Sequence, residues 1–143
     1  MLWGFLTALL SGALMSIQGV WNTEVTKQSG IWLCAVWVQL TALFTCALFW
    51  IFGERASFSS LFQIRPWYLL SGGVLGAFIT WSVVKGMGSL GPARATLTIV
   101  VTQILVSYGI ELFGLFGVEK VPFEWHRILG AGVAIAGIVI FHL

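Results

Sequence analysis

Charge is what this sequence has least of. Seven Lys or Arg and five acidic residues make up 8% of its 143 residues, against roughly 25% in an ordinary soluble domain, so the chain cannot clothe itself in water. The net charge of +2 is spread along the chain, which excludes the basic stripe that neutralises phosphates in a nucleic-acid binder. Motifs for catalysis are missing too. His126 and His142 stand apart with no metal-ligand spacing. The serines lack a neighbouring base and a nucleophile elbow, and there is no glycine loop with lysine to cradle phosphate. No catalytic residue, metal site or cofactor is therefore expected, a membrane-embedded enzyme is the weakest of the functional readings, and any transport runs on an ion gradient or passively. Cysteine is scarce as well: Cys34 and Cys46 lie twelve residues apart in one apolar run, about 18 Å along a helix and beyond disulfide reach. No positive segment precedes the apolar run that begins at Leu2, so a retained helix is expected there in place of a cleaved signal peptide.

What the sequence has is apolar length. It is 59% hydrophobic, with a mean hydropathy of +0.99. A bilayer core about 30 Å thick takes about 20 helical residues to cross, and hydrocarbon forces every backbone N–H and C=O to bond within its own segment. Five runs approach or meet that length: Leu2 to Trp21, Ile31 to Phe52, Trp67 to Val84, Ala93 to Val118, and Trp125 to Phe141. The prediction is an all-α, polytopic membrane protein, a single five-helix transmembrane domain over 1–143. Pro66, Pro92 and Pro122 stand before or at the first turn of a predicted helix, where a missing N–H is least costly. Trp3, Trp21, Trp32, Trp50, Trp67 and Trp125 lie near predicted helix ends, as interfacial anchors do. The stretch from Gly53 to Arg65 reads as a loop.

Loop charge bears on orientation. With five spans, Arg55, Arg65, Lys120 and Arg127 fall on one side and Lys27, Lys85 and Arg94 on the other. Because the Lys/Arg excess sets orientation, four against three barely selects a direction. Copies inserted both ways and paired as an antiparallel homodimer follow as a hypothesis; the alternative is a single orientation fixed by one dominant charge or a partner protein.

Two kinds of pattern mark the helices. Small residues recur as Gly4, Ala8, Gly12 and Ser16 in the first, Gly72, Gly73 and Gly76 in the third, and Gly130, Ala134 and Gly137 in the fifth; such seams let backbones approach where lipid gives no hydrophobic drive to pairing. On the fourth helix Thr96, Gln103, Ser107 and Glu111 fall at spacings of seven, four and four, one polar face at membrane depth. Glu111 lies seven residues before Val118, about 10 Å inside the predicted helix end. An ionisable group there takes up a proton or faces a cation in the functional reading; in the structural one it snorkels or bonds a neighbouring helix. Gln18 and Asn22, four apart at the end of the first helix, either line a cavity or bond orphan carbonyls there, and Trp81 and Tyr108 either offer aromatic walls to a ligand or, more commonly for such residues, pack in the core. Gln39, Thr41 and Thr45 in the second helix are weaker signals, since threonine readily bonds its own helix backbone.

The run Gly72 to Phe78, the pair Gln18 and Asn22, Gln103 followed eight residues on by Glu111, and Phe113-Gly114 together resemble the YdcZ-like family of the drug/metabolite transporter superfamily, over most of the chain. The resemblance implies a five-helix half of a ten-helix transporter, a multi-pass protein of the bacterial inner membrane. In such a protein two inverted copies enclose a small organic solute near the bilayer midplane and alternate access by rocking. It assigns solute contact to Gln18, Asn22, Gln103 and Glu111; Ser107 and Trp81 join them on the reading of the residues alone. Relatives often carry aspartate where this chain has Glu111, and often a small residue at Thr102. The related four-helix multidrug exporters carry an acid in their first helix, which this chain lacks. The alternative function is a non-transporting assembly or scaffold subunit whose fourth-helix polar face packs against another membrane protein.

Overall fold

A computed structural model describes residues 1–143, Glu54 by its backbone alone. Among the described residues the protein is all-helical, with five helices long and apolar enough to cross a membrane. They are α1 (Leu2–Ser29), α2 (Ile31–Phe49), α3 (Gly72–Leu90), α4 (Pro92–Phe113) and α5 (Trp125–His142). A π-helical turn (Trp50–Glu54) prolongs α2, and short 3₁₀ turns occupy Phe58–Gln63, Trp67–Ser71 and Leu115–Gly117. The contacts divide the chain into two compact units, Met1–Gly88 and Ser89–Leu143. In the first α1 packs on α2, and in the second α4 packs on α5.

Glycine sets the ends of α1, α3 and α4, and here the structure departs from the predicted bounds. α1 continues past Trp21 to Ser29 and carries Glu24 and Lys27 as an ion pair of 2.5 Å on its last turns. α3 continues past Val84 to Leu90. At about 1.5 Å per residue, α1 spans about 42 Å, longer than the hydrocarbon core, so its charged end stands clear of it. Charge marks where the membrane stops; the helix itself runs on until the backbone is turned. Gly30 (φ 85, ψ 155) and Gly91 (φ 83, ψ 156) make those turns. Each joins two helices through one residue in a region of backbone space open in practice to glycine only. α4, by contrast, stops at Phe113, five residues short of the predicted Val118, because Gly114 takes the left-handed conformation and its N–H returns to the carbonyls of Glu111 and Ile110.

Side chains obey the same solvent. The hydroxyls of Thr7, Ser16, Thr23, Thr41, Thr45, Thr80, Thr98 and Thr102 each donate to a carbonyl four residues back in their own helix, at 2.8–3.1 Å, which hides them from lipid. Most large apolar side chains are left uncovered, from Leu2 and Trp3 to Ile140 and Phe141. At the membrane edge Trp50 donates its indole N–H to the Ala56 carbonyl at 2.8 Å, and the Arg65 guanidinium lies 4.1 Å over the Trp67 ring.

Glycine packing is narrower than the spacing predicts. A Cβ at Gly4, Gly12, Gly72, Gly73, Gly130 or Gly137 would meet nothing within 4 Å, so among the described residues these six positions are not packed against another helix. A Cβ at Gly76 would lie 3.1 Å from the Gln39 amide nitrogen. The tightest approach falls at Gly19, outside the predicted seams, where a Cβ would lie 2.5 Å from the Met87 terminal methyl and 3.3 Å from Val83. Spacing identifies a face of small residues and leaves open whether the chain itself fills it.

Gly30→Ala forces an L-residue into that glycine-only turn, at a cost of about 1–3 kcal/mol, and should lower the midpoint of thermal unfolding in detergent. Gly132→Ala, in open space within α5, should leave the midpoint unchanged or slightly raised. Equal midpoints for Gly30→Ala and the unsubstituted protein would remove the turn from its place in the fold.

Candidate functional site

The polar face of α4 meets α5. Thr98 and Thr102 turn their hydroxyls to their own helix, whereas Gln103 and Ser107, among the described residues, make no side-chain hydrogen bond within the chain. Both line an open cavity of about 510 Å³ between α4 and α5, together with Tyr108, Glu111 and Arg127 and an apolar floor that includes Val100 and Ala131. From Val100 to Glu111 the lining covers about 16 Å of α4 at the helical rise, from the middle of the helix to its last turn.

Glu111 closes one end of this cavity. Because α4 ends at Phe113, Glu111 is two residues from the helix end, about 3 Å of rise, in place of the 10 Å predicted. It therefore stands near the membrane edge, and Gln103 takes the deep position. Arg127, in the first turn of α5, donates from Nη1 to Glu111 Oε2 at 2.9 Å and from Nε to Glu124 Oε2 at 2.6 Å. Glu111 is thus bonded to a neighbouring helix. With Arg127 37% and Glu111 40% uncovered, water reaches the pair and screens it.

The connector holds these groups in place. The Glu111 carbonyl accepts from the N–H of Gly114 at 3.3 Å and of Val121 at 3.0 Å, which folds the 3₁₀ turn back over the end of α4. Gly114 admits this: its φ is +63, and a Cβ there would lie 3.2 Å from Lys120 Cβ. At the entry to α5, the Tyr108 hydroxyl accepts from the Glu124 backbone N–H at 3.1 Å, and its ring lies 5.5 Å from the Arg127 guanidinium. His126 Nε2 stands 3.5 Å from Glu124 Oε2.

Of the six predicted solute-contact residues, Gln103, Ser107 and Glu111 share this cavity. The other three belong to the first unit. Gln18 lines a shallow groove of about 660 Å³ on one face of α1 with Ser11 and Trp21. Asn22 is half-buried, and its backbone carbonyl accepts from the Cys34 thiol at 3.3 Å. Trp81 is 37% uncovered on α3. Arg127 is the site residue that the sequence reading missed, since it counts there only as a loop charge. Glu124 and Arg127, three apart at a helix start, give a signal for a paired cation, but the partner on α4 lies sixteen residues away.

By its build this is an α-helical, multi-pass membrane protein with a mostly apolar cavity between two of its helices that carries a few polar side chains. The family model DMT_YdcZ, described as "Putative inner membrane exporter, YdcZ", matches residues 3–140. The chain belongs to this family and is a transmembrane protein of the inner membrane. No curated protein and no solved structure matches it.

Tyr108→Phe deletes the acceptor for the Glu124 N–H and should cost about 1 kcal/mol. Faster hydrogen exchange at the Glu124 amide would report the loss, and an unchanged exchange rate would contradict it.

Proposed function

We propose that the chain is one five-helix half of a transporter, acting as a dual-topology antiparallel homodimer that moves a small organic metabolite or drug-like solute by alternating access. The observation that carries this reading is the amide of Gln103 and the hydroxyl of Ser107, unpartnered within the chain beside an open cavity. Polar groups at membrane depth require a partner, and water, a solute or a second copy can supply one. Gln18, Asn22 and Trp81 complete the proposed solute-contact set once two copies are paired. The open glycine faces at Gly4, Gly12, Gly130 and Gly137 suit helix pairing between copies, and the near-even loop charge favours insertion both ways. On this reading the whole chain is one transmembrane domain, needs no cofactor and is not an enzyme.

Two measurements test it. With Cys34 and Cys46 replaced by alanine, a single cysteine introduced at the exposed Ser59 should react with impermeant reagent from both faces of the membrane; reaction from one face alone would overturn dual topology. In proteoliposomes, Gln103→Ala should lower solute flux about tenfold, the loss of roughly one hydrogen bond to a polar solute, without dissolving the dimer.

A further inference from the structure

The charge count at the mouth of the α4–α5 cavity points to the class of solute. Glu111 and Glu124 share one guanidinium, that of Arg127, through separate nitrogens. The two bonds differ in kind. Glu124 and Arg127 are three residues apart at the start of α5, so their bond survives any movement of α4; the Glu111 bond crosses from one helix to the other. Glu119 and Lys120, on the exposed connector, cancel one another. His126, 77% uncovered, faces Glu124 and not Glu111. The group therefore holds one negative charge more than it can match.

We infer that this cavity takes an organic cation of the ammonium or guanidinium type, which binds by displacing Arg127 from Glu111. The inference rests on reading the cavity as the solute site. A cation that replaces the Arg127 Nη1 at Glu111 leaves Arg127 bonded to Glu124, so every charge keeps a partner. An anion that engages Arg127 adds a third negative charge beside Glu111 and Glu124, with the one guanidinium already shared between them. Arg127 itself models the bound state: a guanidinium on an alkyl stem, against a carboxylate and 5.5 Å from an aromatic ring. Beyond the mouth, the apolar floor receives the body of the solute, while Ser107 and Gln103 offer it hydrogen bonds.

The test uses the purified full-length chain in detergent and four probes of similar size: phenethylammonium, benzamidinium, neutral phenethyl alcohol and the phenylacetate anion. Saturable thermal stabilisation by the two cations, absent with the other two, is the expected result. Glu111→Gln should weaken cation binding about tenfold or more, the loss of a charge-assisted bond. Glu124→Gln should also weaken it, because Arg127, released from one carboxylate, holds the other more firmly. Arg127→Gln should strengthen it by removing the resident competitor. A merely structural role for the three residues would weaken binding in all three variants, and that pattern overturns the exchange mechanism. Should Arg127→Gln not fold, Arg127→Lys takes its place: an ammonium lacks the fork that holds both carboxylates, so cation affinity equal to or below that of the unsubstituted chain overturns exchange. Stabilisation by phenylacetate or phenethyl alcohol in place of the cations, or by none of the four, overturns the cation assignment, and the transport reading still stands or falls by solute flux. A chain that binds the cations yet moves neither in proteoliposomes supports the cation site and sinks the transport reading.

Discussion

Hydrocarbon supplies no hydrogen bonds, and the rest of this structure follows from that. Each membrane-spanning segment closes its backbone bonds within a helix. Its threonines then spend their hydroxyls on carbonyls of the same helix, as at Thr41, Thr45, Thr98 and Thr102. Charges retreat to the ends: Glu24 and Lys27 to the last turns of α1, Glu111 to the last turn of α4, Arg127 to the first turn of α5. With so few polar groups left over, each one that is neither bonded nor expelled becomes informative. Gln103 and Ser107 are of that kind.

Nothing in lipid pushes apolar helices together, so the α4–α5 hairpin is fastened by polar contacts at its closed end. The Glu111 carbonyl gathers two backbone N–H groups, its carboxylate takes Arg127, and Tyr108 takes the backbone of Glu124. Because water reaches the ion pair, its contribution to stability is modest. Modest strength suits the proposed exchange, in which a solute opens this contact. A fully desolvated pair would resist any competitor, whereas a half-screened one can exchange partners as the cavity fills.

The same economy links packing to assembly. Close backbone approach occurs at Gly19 against Met87, while Gly4, Gly12, Gly130 and Gly137 face open space. In a soluble protein, uncovered glycines on a helix would be a liability to helix stability. In a membrane they keep a face flat enough for another helix to approach. In the proposed pairing of two five-helix copies, such faces are where the second copy would be met.

The sequence by itself determined the number, kind and approximate place of the spans, because apolar length against bilayer thickness is a one-dimensional property. It also determined that Gln103, Ser107 and Glu111 share a helical face, which the α-helical repeat makes a matter of counting, and its short motifs pointed to the family. Helix ends were less legible: charges at Glu24 and Lys85 look like boundaries, yet the helix continues to the glycine that turns it, and the left-handed Gly114 that ends α4 packs against Lys120 while Val121 bonds the Glu111 carbonyl. Only the tertiary structure decided that Arg127 belongs with Glu111. Their bond depends on how the connector folds two helices together, and sixteen residues of intervening chain carry no periodicity from which that meeting could be read.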